Sequence, residues 1–479
     1  MISELGIVAG SHYVRYRRSL LFLNTSLFCI FVSDNKAYNM KELFQKYLCK
    51  ERFSDYRSLT SSERRTVFQQ DHDRIVFSTA FRRLQNKTQV FSLPTEKVFV
   101  HNRLTHSIEV ESVGRSLGID TACGLIDRYP DLEGVVSIHE AGAVVSAACL
   151  AHDLGNPPFG HFGEATICSY FKEGNGRQYR DMVSPEMWSD FTHFDGNANT
   201  FRLLTHQFNG KPKGGYDLSY ATLASIIKYP FESSLAGDKP KFGFFNEERE
   251  AFLRVASHTG MCELSSSPTR YSRHPFAYLV EAADDICYQI MDMEDAYKMQ
   301  IVQFDEITKL YKSFLDPETI AMFNDQLRFQ QITDRNSIIS TLRGKVIGAL
   351  EHACVTVFLD RFEDIDSGLY IGSLISNLPS SIRAAYDACV EFSEERIYKY
   401  RDSNDVSLKG YQVLTLLLDR FIHAALNPNA LYSKELLNKV SDQFSVGPQF
   451  SEGERIHGVI DYISGITDLF AVDLYSMLS

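Results

Sequence analysis

Residues 151–164 read AHDLGNPPFGHFGE. The preceding run, SIHEAGAVVSAACLA (137–151), repeats apolar side chains at spacings of three and four, which predicts a helix. That helix ends on an adjacent His152–Asp153 pair. Gly155, Pro157 and Pro158 then break the chain, and His161 and Glu164 follow at once. A helix that only packs a core has no use for an imidazole beside a carboxylate at its end, nor for a second such pair one loop later. The stretch therefore predicts helix, sharp turn, helix, with chemistry at the turn. His161 and Glu164 stand three apart, so one helical turn puts them on one face.

Outward from this stretch, the helix period recurs over 276–299, 344–361 and 409–426, and no run alternates convincingly as a strand. Gly, Pro and Ser gather at 155–160, 208–216, 235–243, 263–275 and 444–453, where loops are expected. No internal repeat occurs. The expected fold class is all-α, with a helical core over 40–345 and a helical C-terminal region over 346–479. Residues 1–39 are set apart. Arg15, Arg17 and Arg18 precede SLLFLNTSLFCIFV, the order of a signal peptide or short anchor. The apolar run is short for a span and no small-x-small cleavage site follows. The segment is read as an extension with Met40 as the working start, and the protein as cytoplasmic with no membrane partner.

The 479 residues carry a net charge of −12, which argues against a broad basic surface for coating nucleic acid. A local Arg/Lys cluster for a small phosphorylated ligand remains compatible with it. The nine cysteines are scattered without any CxxC, as reduced thiols rather than a disulfide framework or a thiolate metal site.

The strongest metal-ligand candidates are His106 in RLTHSIEVE, His152, Asp153, and Asp284 in VEAADDICYQIMD. Two imidazoles and two carboxylates form a mixed N/O set suited to Mn²⁺, Mg²⁺, Fe²⁺, Co²⁺ or Zn²⁺ with open water positions. Each residue alone has a plainer reading: a helical His is most often packed or on the surface, and Asp284–Asp285 could be a solvated face. Arg103 precedes His106 by three and can face the same site. Asp284, Tyr288 and Asp292 form one helical stripe, where a tyrosine is ordinarily core. Arg74, Arg82 and Arg83 could pair with Asp71 or Asp73, or form a basic interaction surface.

Seven blocks go further: FQQDHDRIVFSTAFRRLQNKTQVF (68–91), NRLTHSIEVE (102–111), AHDLGNPPFGHFGE, HFDGNANTFRLLT (193–205), IIKYP (226–230), RHPFAYLVEAADDICY (273–288) and DYISGITD (461–468). In this order they resemble the deoxyguanosine triphosphate triphosphohydrolases, of the HD-domain superfamily of metal phosphohydrolases. The resemblance runs from about residue 40 to the C-terminus. It implies one divalent ion (Mn, Mg, Co or Fe) on His106, His152, Asp153 and Asp284. Water would attack the α-phosphorus of a deoxynucleoside triphosphate, dGTP foremost, releasing deoxynucleoside and inorganic triphosphate. His161 would be the acid/base and Glu164 its orienting carboxylate. Gln89 would hydrogen-bond the sugar with Val90 under the ring. Tyr288 would pack on the deoxyribose and exclude ribonucleotides, with Asp292 near the 3′-hydroxyl. Lys228, Tyr229 and Lys241 would join Arg103 on the phosphates.

Asn156 stands where many relatives carry a second His. It cannot titrate, which leaves it a hydrogen bond to phosphate and places more of the proton transfer on His161. The family assembles as homo-oligomers, often hexamers, and some members respond to single-stranded DNA or nucleotide effectors. Two other readings compete. One is a different HD phosphohydrolase, acting on cyclic nucleotides, alarmones or 5′-nucleotides. The other is a nucleotide- or DNA-sensing regulatory protein with low turnover, against which the full ligand set and the His161/Glu164 pair both weigh.

Overall fold

The apolar-periodic stretches fold as helices whose ends are set by capping side chains. In a computed structural model describing residues 39–54, 64–89, 100–237, 240–398 and 403–479, the elements that build the site are as follows. Helix α1 is Val67–Val76, α2 Arg103–Arg128, α3 Ile138–Ala151, α4 Gly160–Lys172, α5 Gly196–Thr205 and α6 Tyr220–Ile226. Helix α7 is Pro275–Lys298, α8 Arg335–Asp360, α9 Ser403–Leu426, α10 Glu452–Gly465 and α11 Asp468–Leu478. Asn102 opens α2 with a capping box, accepting from the Thr105 N–H while the Thr105 side chain returns to the Asn102 N–H. Ser137 accepts from the Glu140 N–H to start α3. His274 accepts from the Phe276 N–H ahead of Pro275, which sits at the first position of α7 where no donor is needed.

The mostly helical fold class holds. Two helices start earlier than their apolar period suggests, α8 at Arg335 and α9 at Ser403, because their first turns are polar. A hairpin of β1 (Glu263–Ser266) and β2 (Thr269–Tyr271) lies inside the stretch expected to be loop; strands of four and three residues are too short to show alternation.

Helix α3 is buried over most of its length and packs along α2, with α1, α6 and α7 closing around the pair. This part of the core contains Val110, Leu117, Val144, Cys149, Leu223, Ile286 and Leu350. Each such side chain stabilises the fold by roughly 1.5–3 kcal/mol. A second apolar cluster joins α4 to α9 and α10 through Ile167, Phe171, Leu414, Phe421, Ile456 and Ile463. Leu154 belongs to the first cluster and Phe159 packs against the second. The 152–159 turn therefore spans the seam between two cores, and packing fixes it from both sides. Among the described residues no helix is long and apolar enough to cross a membrane.

Candidate active site

Helix α2 contributes His106 from its first turn, α3 delivers His152 and Asp153 at its end, and α7 supplies Asp284. His106 Nε2 lies 3.1 Å from Asp284 Oδ1, and His152 Nε2 lies 3.6 Å from the same oxygen. The three donors sit within 4.8 Å of one another. His152 Nδ1 faces the Cys149 carbonyl at 2.6 Å and donates to it, which fixes the tautomer and leaves Nε2 as the acceptor. That Nε2 is buried and makes no hydrogen bond. A buried imidazole nitrogen facing two carboxylates is the donor chemistry a divalent cation requires once it takes the place of the proton.

Asp153 divides its carboxylate. Oδ1 stands 3.6 Å from His152 Nε2 and accepts from Asn156 Nδ2, while Oδ2 pairs with Arg103 Nη1 at 2.7 Å. It thus lies just outside the mutually close trio. Burial opposes ionisation of Asp153, but Arg103, His152 and His106 outweigh it and hold its pKa at about 2. Asp284 is likewise held well below the carboxylate range: burial resists, and the two histidines prevail. Burial disfavours the His152 imidazolium, yet Asp153 and Asp284 lift its pKa to about 9. The cluster is a negative field that draws a positive charge.

The turn is shaped for this. Phe159 and Gly160 are both left-handed, with φ of 65° and 59°. The Phe159 N–H donates to Asp468 Oδ1 at 3.1 Å, which ties the strained residue to α11. At Gly160 a Cβ would lie 2.6 Å from Arg103 Nη2, so glycine supplies both the backbone angle and the space for the guanidinium. Helix α5 clamps the other side. Thr200 Oγ1 accepts from the Gly155 N–H at 3.0 Å, and Asn199 Nδ2 donates to the Gly155 carbonyl at 2.6 Å.

His161 Nδ1 lies 2.8 Å from Glu164 Oε2, on the first turn of α4. The His161 side chain is 80% exposed and that of Glu164 only 7%. Glu164 Oε1 accepts from the Gly196 N–H at 2.8 Å; Lys241 Nζ sits 3.4 Å from Oε2 and 3.2 Å from Asp195 Oδ1. The hydrogen bond and charge of Glu164 raise the pKa of His161. Burial resists ionisation of Glu164, but His161, Lys241 and the Gly196 amide keep its carboxyl below the usual range. The pair is an imidazole presented to solvent on an ionised, rigidly held carboxylate that favours its protonated form.

A cavity of about 370 Å³ joins these parts. Of the sequence candidates, Gln89, Arg103, His152, Asp153, Asn156, His161, Lys228, Tyr229, Lys241, Asp284 and Tyr288 line it. His106 and Glu164 are buried just behind its wall. Val90 lies outside the described residues. Asp292 does not line the cavity; it is buried and accepts from Tyr398 Oη at 3.0 Å, one side chain removed from the space. Asn156 turns its amide to Asp153 rather than outward, so it acts as a brace. Lys228 is partly engaged, 3.3 Å from Glu281 Oε1, which shares its carboxylate with Arg273. Gln89 Oε1 is buried with no hydrogen-bond partner. Sequence reasoning missed Tyr398, which stacks on Tyr288 at 6.1 Å, and Asn197 and Glu281 in the lining. Tyr398 carries no local signal, since it meets Tyr288 only through the tertiary fold. Asn197 lies within a block already singled out.

The expected pairing of Arg74 with Asp71 or Asp73 gives way to other partners. Arg74 meets Asp217 at 3.1 Å, Asp71 is taken by Arg52 and Asp73 by Arg65, each at 2.8 Å. A second His/acid group, His206, Glu247 and Glu248, surrounds the Arg202 guanidinium, which pairs with both carboxylates.

Known proteins resemble this chain over most of its length. Residues 103–229 match the HD domain family. A Pseudomonas aeruginosa deoxyguanosinetriphosphate triphosphohydrolase-like protein is 35% identical over 427 residues, covering 86% of this chain and 92% of the relative. A Synechocystis protein of the same description is 34% identical over 447 residues, covering 91% and 98%. The Salmonella typhimurium deoxyguanosinetriphosphate triphosphohydrolase is 27% identical over 494 residues, covering 88% and 94%.

Proposed function

The chain belongs to the deoxyguanosinetriphosphate triphosphohydrolase-like family of HD-domain proteins, and from that premise we propose that it cleaves deoxynucleoside triphosphates, dGTP first among them, at the α-phosphorus. The products are a deoxynucleoside and inorganic triphosphate. One observation carries the reading: a single cavity is lined by His152 and Asp284 of the donor trio and by His161 of the acid/base pair, with His106 and Glu164 buried directly behind them.

The trio, with Asp153 beside it, would hold one divalent ion; the oxygen and imidazole donors suit Mn²⁺ or Mg²⁺. Such an ion, when bound, polarises a phosphoryl oxygen and lowers the pKa of water. The remaining work falls to the chain's own side chains. Arg103, anchored through Nη1 on Asp153, and Lys241 and Lys228 neutralise a triphosphate that carries about four charges. His161, held at Nδ1 by Glu164, keeps Nε2–H for the leaving 5′-oxygen and donates its proton there as the P–O bond breaks. The proton lost by the attacking water restores the imidazolium. Glu164 stabilises that charge without moving, because Gly196 and Lys241 fix its oxygens. The Tyr288–Tyr398 stack forms the sugar wall, and Gln89 Oε1 accepts from a sugar hydroxyl.

The test is product analysis. Purified protein with dGTP and Mn²⁺ or Mg²⁺ should yield deoxyguanosine and intact triphosphate on anion exchange. Pyrophosphate or orthophosphate as the first product would place it in another phosphohydrolase class. No product with any dNTP would favour the sensor reading.

A further inference from the structure

A second cavity, of about 190 Å³, shares no lining residue with the first. Its wall includes Arg83, Lys211, Phe208, Tyr216, Phe444 and Asp461. Among these, Asp461 is the sole acid, and both its oxygens are engaged by Arg202. Its Oδ1 and Oδ2 accept from Arg202 Nε and Nη2 at 2.8 and 2.9 Å. Arg83 is different. It is partly buried, and no described residue gives its guanidinium a hydrogen bond or an ion pair; Gly465 leaves room beside it, where a Cβ would lie 3.7 Å from Nη2. Burial lowers its pKa, opposed by Tyr216 alone. Lys211 adds a second cation with no carboxylate within ion-pair distance among the described residues. Phe208 and Phe444, in the same lining, meet edge to face at 5.9 Å.

An arginine placed in a cavity without a counter-charge is unfavourable unless something anionic enters. Its planar fork fits the oxygens of a phosphate, and a phosphate ester carries about two charges, matching two cations. The aromatic wall offers an apolar face to the rest of the molecule. The volume, about half that of the first cavity and below the roughly 300 Å³ at which drug-sized pockets begin, favours a ligand smaller than a nucleoside triphosphate. We infer that this cavity binds a small phosphorylated molecule of about pentose-phosphate size, its phosphoryl group on Arg83 and Lys211 and its organic part against Phe208, Tyr216 and Phe444. Leu154 and Asn199 also line it, so the site backs directly onto the turn that carries His152 and Asp153.

Isothermal titration of the full chain with ribose 5-phosphate, and separately with inorganic phosphate, tests this. Binding should appear in the wild type and persist in Lys228→Ala, which alters only the substrate cavity. It should weaken at least about tenfold in Arg83→Met and recover in part in Arg83→Lys. Tighter binding of ribose 5-phosphate marks an ester as the ligand; equal binding marks an inorganic oxyanion, and either supports the site. Lys211→Ala, at an exposed position, carries the same expectation should Arg83→Met fail to fold. Absence of heat with both probes, wild-type affinity in a folded Arg83→Met protein, or loss of all binding in Lys228→Ala would overturn it.

Discussion

Replacing Gly160 with alanine tests how the turn aims Arg103. At φ 59° an alanine bears the left-handed penalty of roughly 1–2 kcal/mol. Its Cβ would stand 2.6 Å from Arg103 Nη2, nearer than real contacts allow, so the guanidinium must shift. That guanidinium is almost fully buried and holds Asp153 Oδ2 at 2.7 Å. Losing a charged hydrogen bond of this kind costs roughly 1.5–3 kcal/mol. Together the terms predict a loss of about 2.5–5 kcal/mol in unfolding free energy, read from urea denaturation with an unchanged slope. In the proposed function Arg103 also meets the triphosphate, so kcat/KM for dGTP should fall by about 10²-fold, some 2.7 kcal/mol of transition-state stabilisation. A double-mutant cycle with Arg103→Met separates aim from strain. If Gly160→Ala acts through Arg103, the double variant turns over little worse than Arg103→Met alone, with a coupling of at least about 1 kcal/mol. Wild-type turnover in Gly160→Ala, or losses that simply add, would refute the reasoning.

His161→Gln should lower turnover by roughly 10²–10⁴-fold while Mn²⁺ still binds by titration calorimetry; loss of the metal with the imidazole would assign His161 to the wrong task. Tyr288→Ala should narrow the preference for dGTP over GTP, and an unchanged ratio of kcat/KM values would remove it from the sugar wall. Asp468→Asn must serve the Thr88 N–H, the Thr88 hydroxyl and the Phe159 N–H with one oxygen fewer; a stability loss of about 1–3 kcal/mol and a raised KM are expected, and unaltered melting and kinetics would count against the tie. His274 is buried and accepts from the Phe276 N–H, and burial lowers its pKa to about 3. The unfolded chain therefore binds one more proton between about pH 6.5 and 3, and stability present above pH 6.5 is lost on acidification, by about 2 kcal/mol on going to pH 5; an unchanged acid limb in His274→Asn would show that another group sets it.

Helix α3 was legible because its apolar period, its Ser137 cap and its break at Gly155 all agree. Helices α8 and α9 were legible only over their buried parts, since a polar first turn gives no periodic signal. The residues brought together around the cavity carried distinctive chemistry within short blocks. The order of partners inside the site was not legible. Asp153 reads as one more ligand in sequence, yet its carboxylate is shared among Arg103, Asn156 and the imidazole of His152, and only packing of α2 against α3 decides that division. Asn156 likewise looks free to meet a phosphate until the turn folds its amide back. The Tyr288–Tyr398 and Asp292–Tyr398 contacts join positions more than a hundred residues apart, beyond any local pattern.

The block DYISGITD, far from any metal ligand, has a physical reason to accompany the rest. Lys87 is fully buried and donates to the carbonyls of Asn156 and Ser464, one in the catalytic turn and one in α10. Burial, then the nearby Arg83, lower its pKa to about 7, against the pull of Asp468. Such a lysine is tolerable only where carbonyl dipoles surround the ammonium. Two residues on, Gln89 faces the cavity, and Thr88 between them is held by Asp468. The same aspartate fixes the left-handed Phe159. One lysine and one aspartate thus join the segment carrying the cavity-lining Gln89 to the turn carrying His152 and His161, through α10 and α11. The distance between Gln89 and the His152–His161 turn across the cavity is therefore set by α10 and α11 as much as by the helices that carry the metal-ligand candidates.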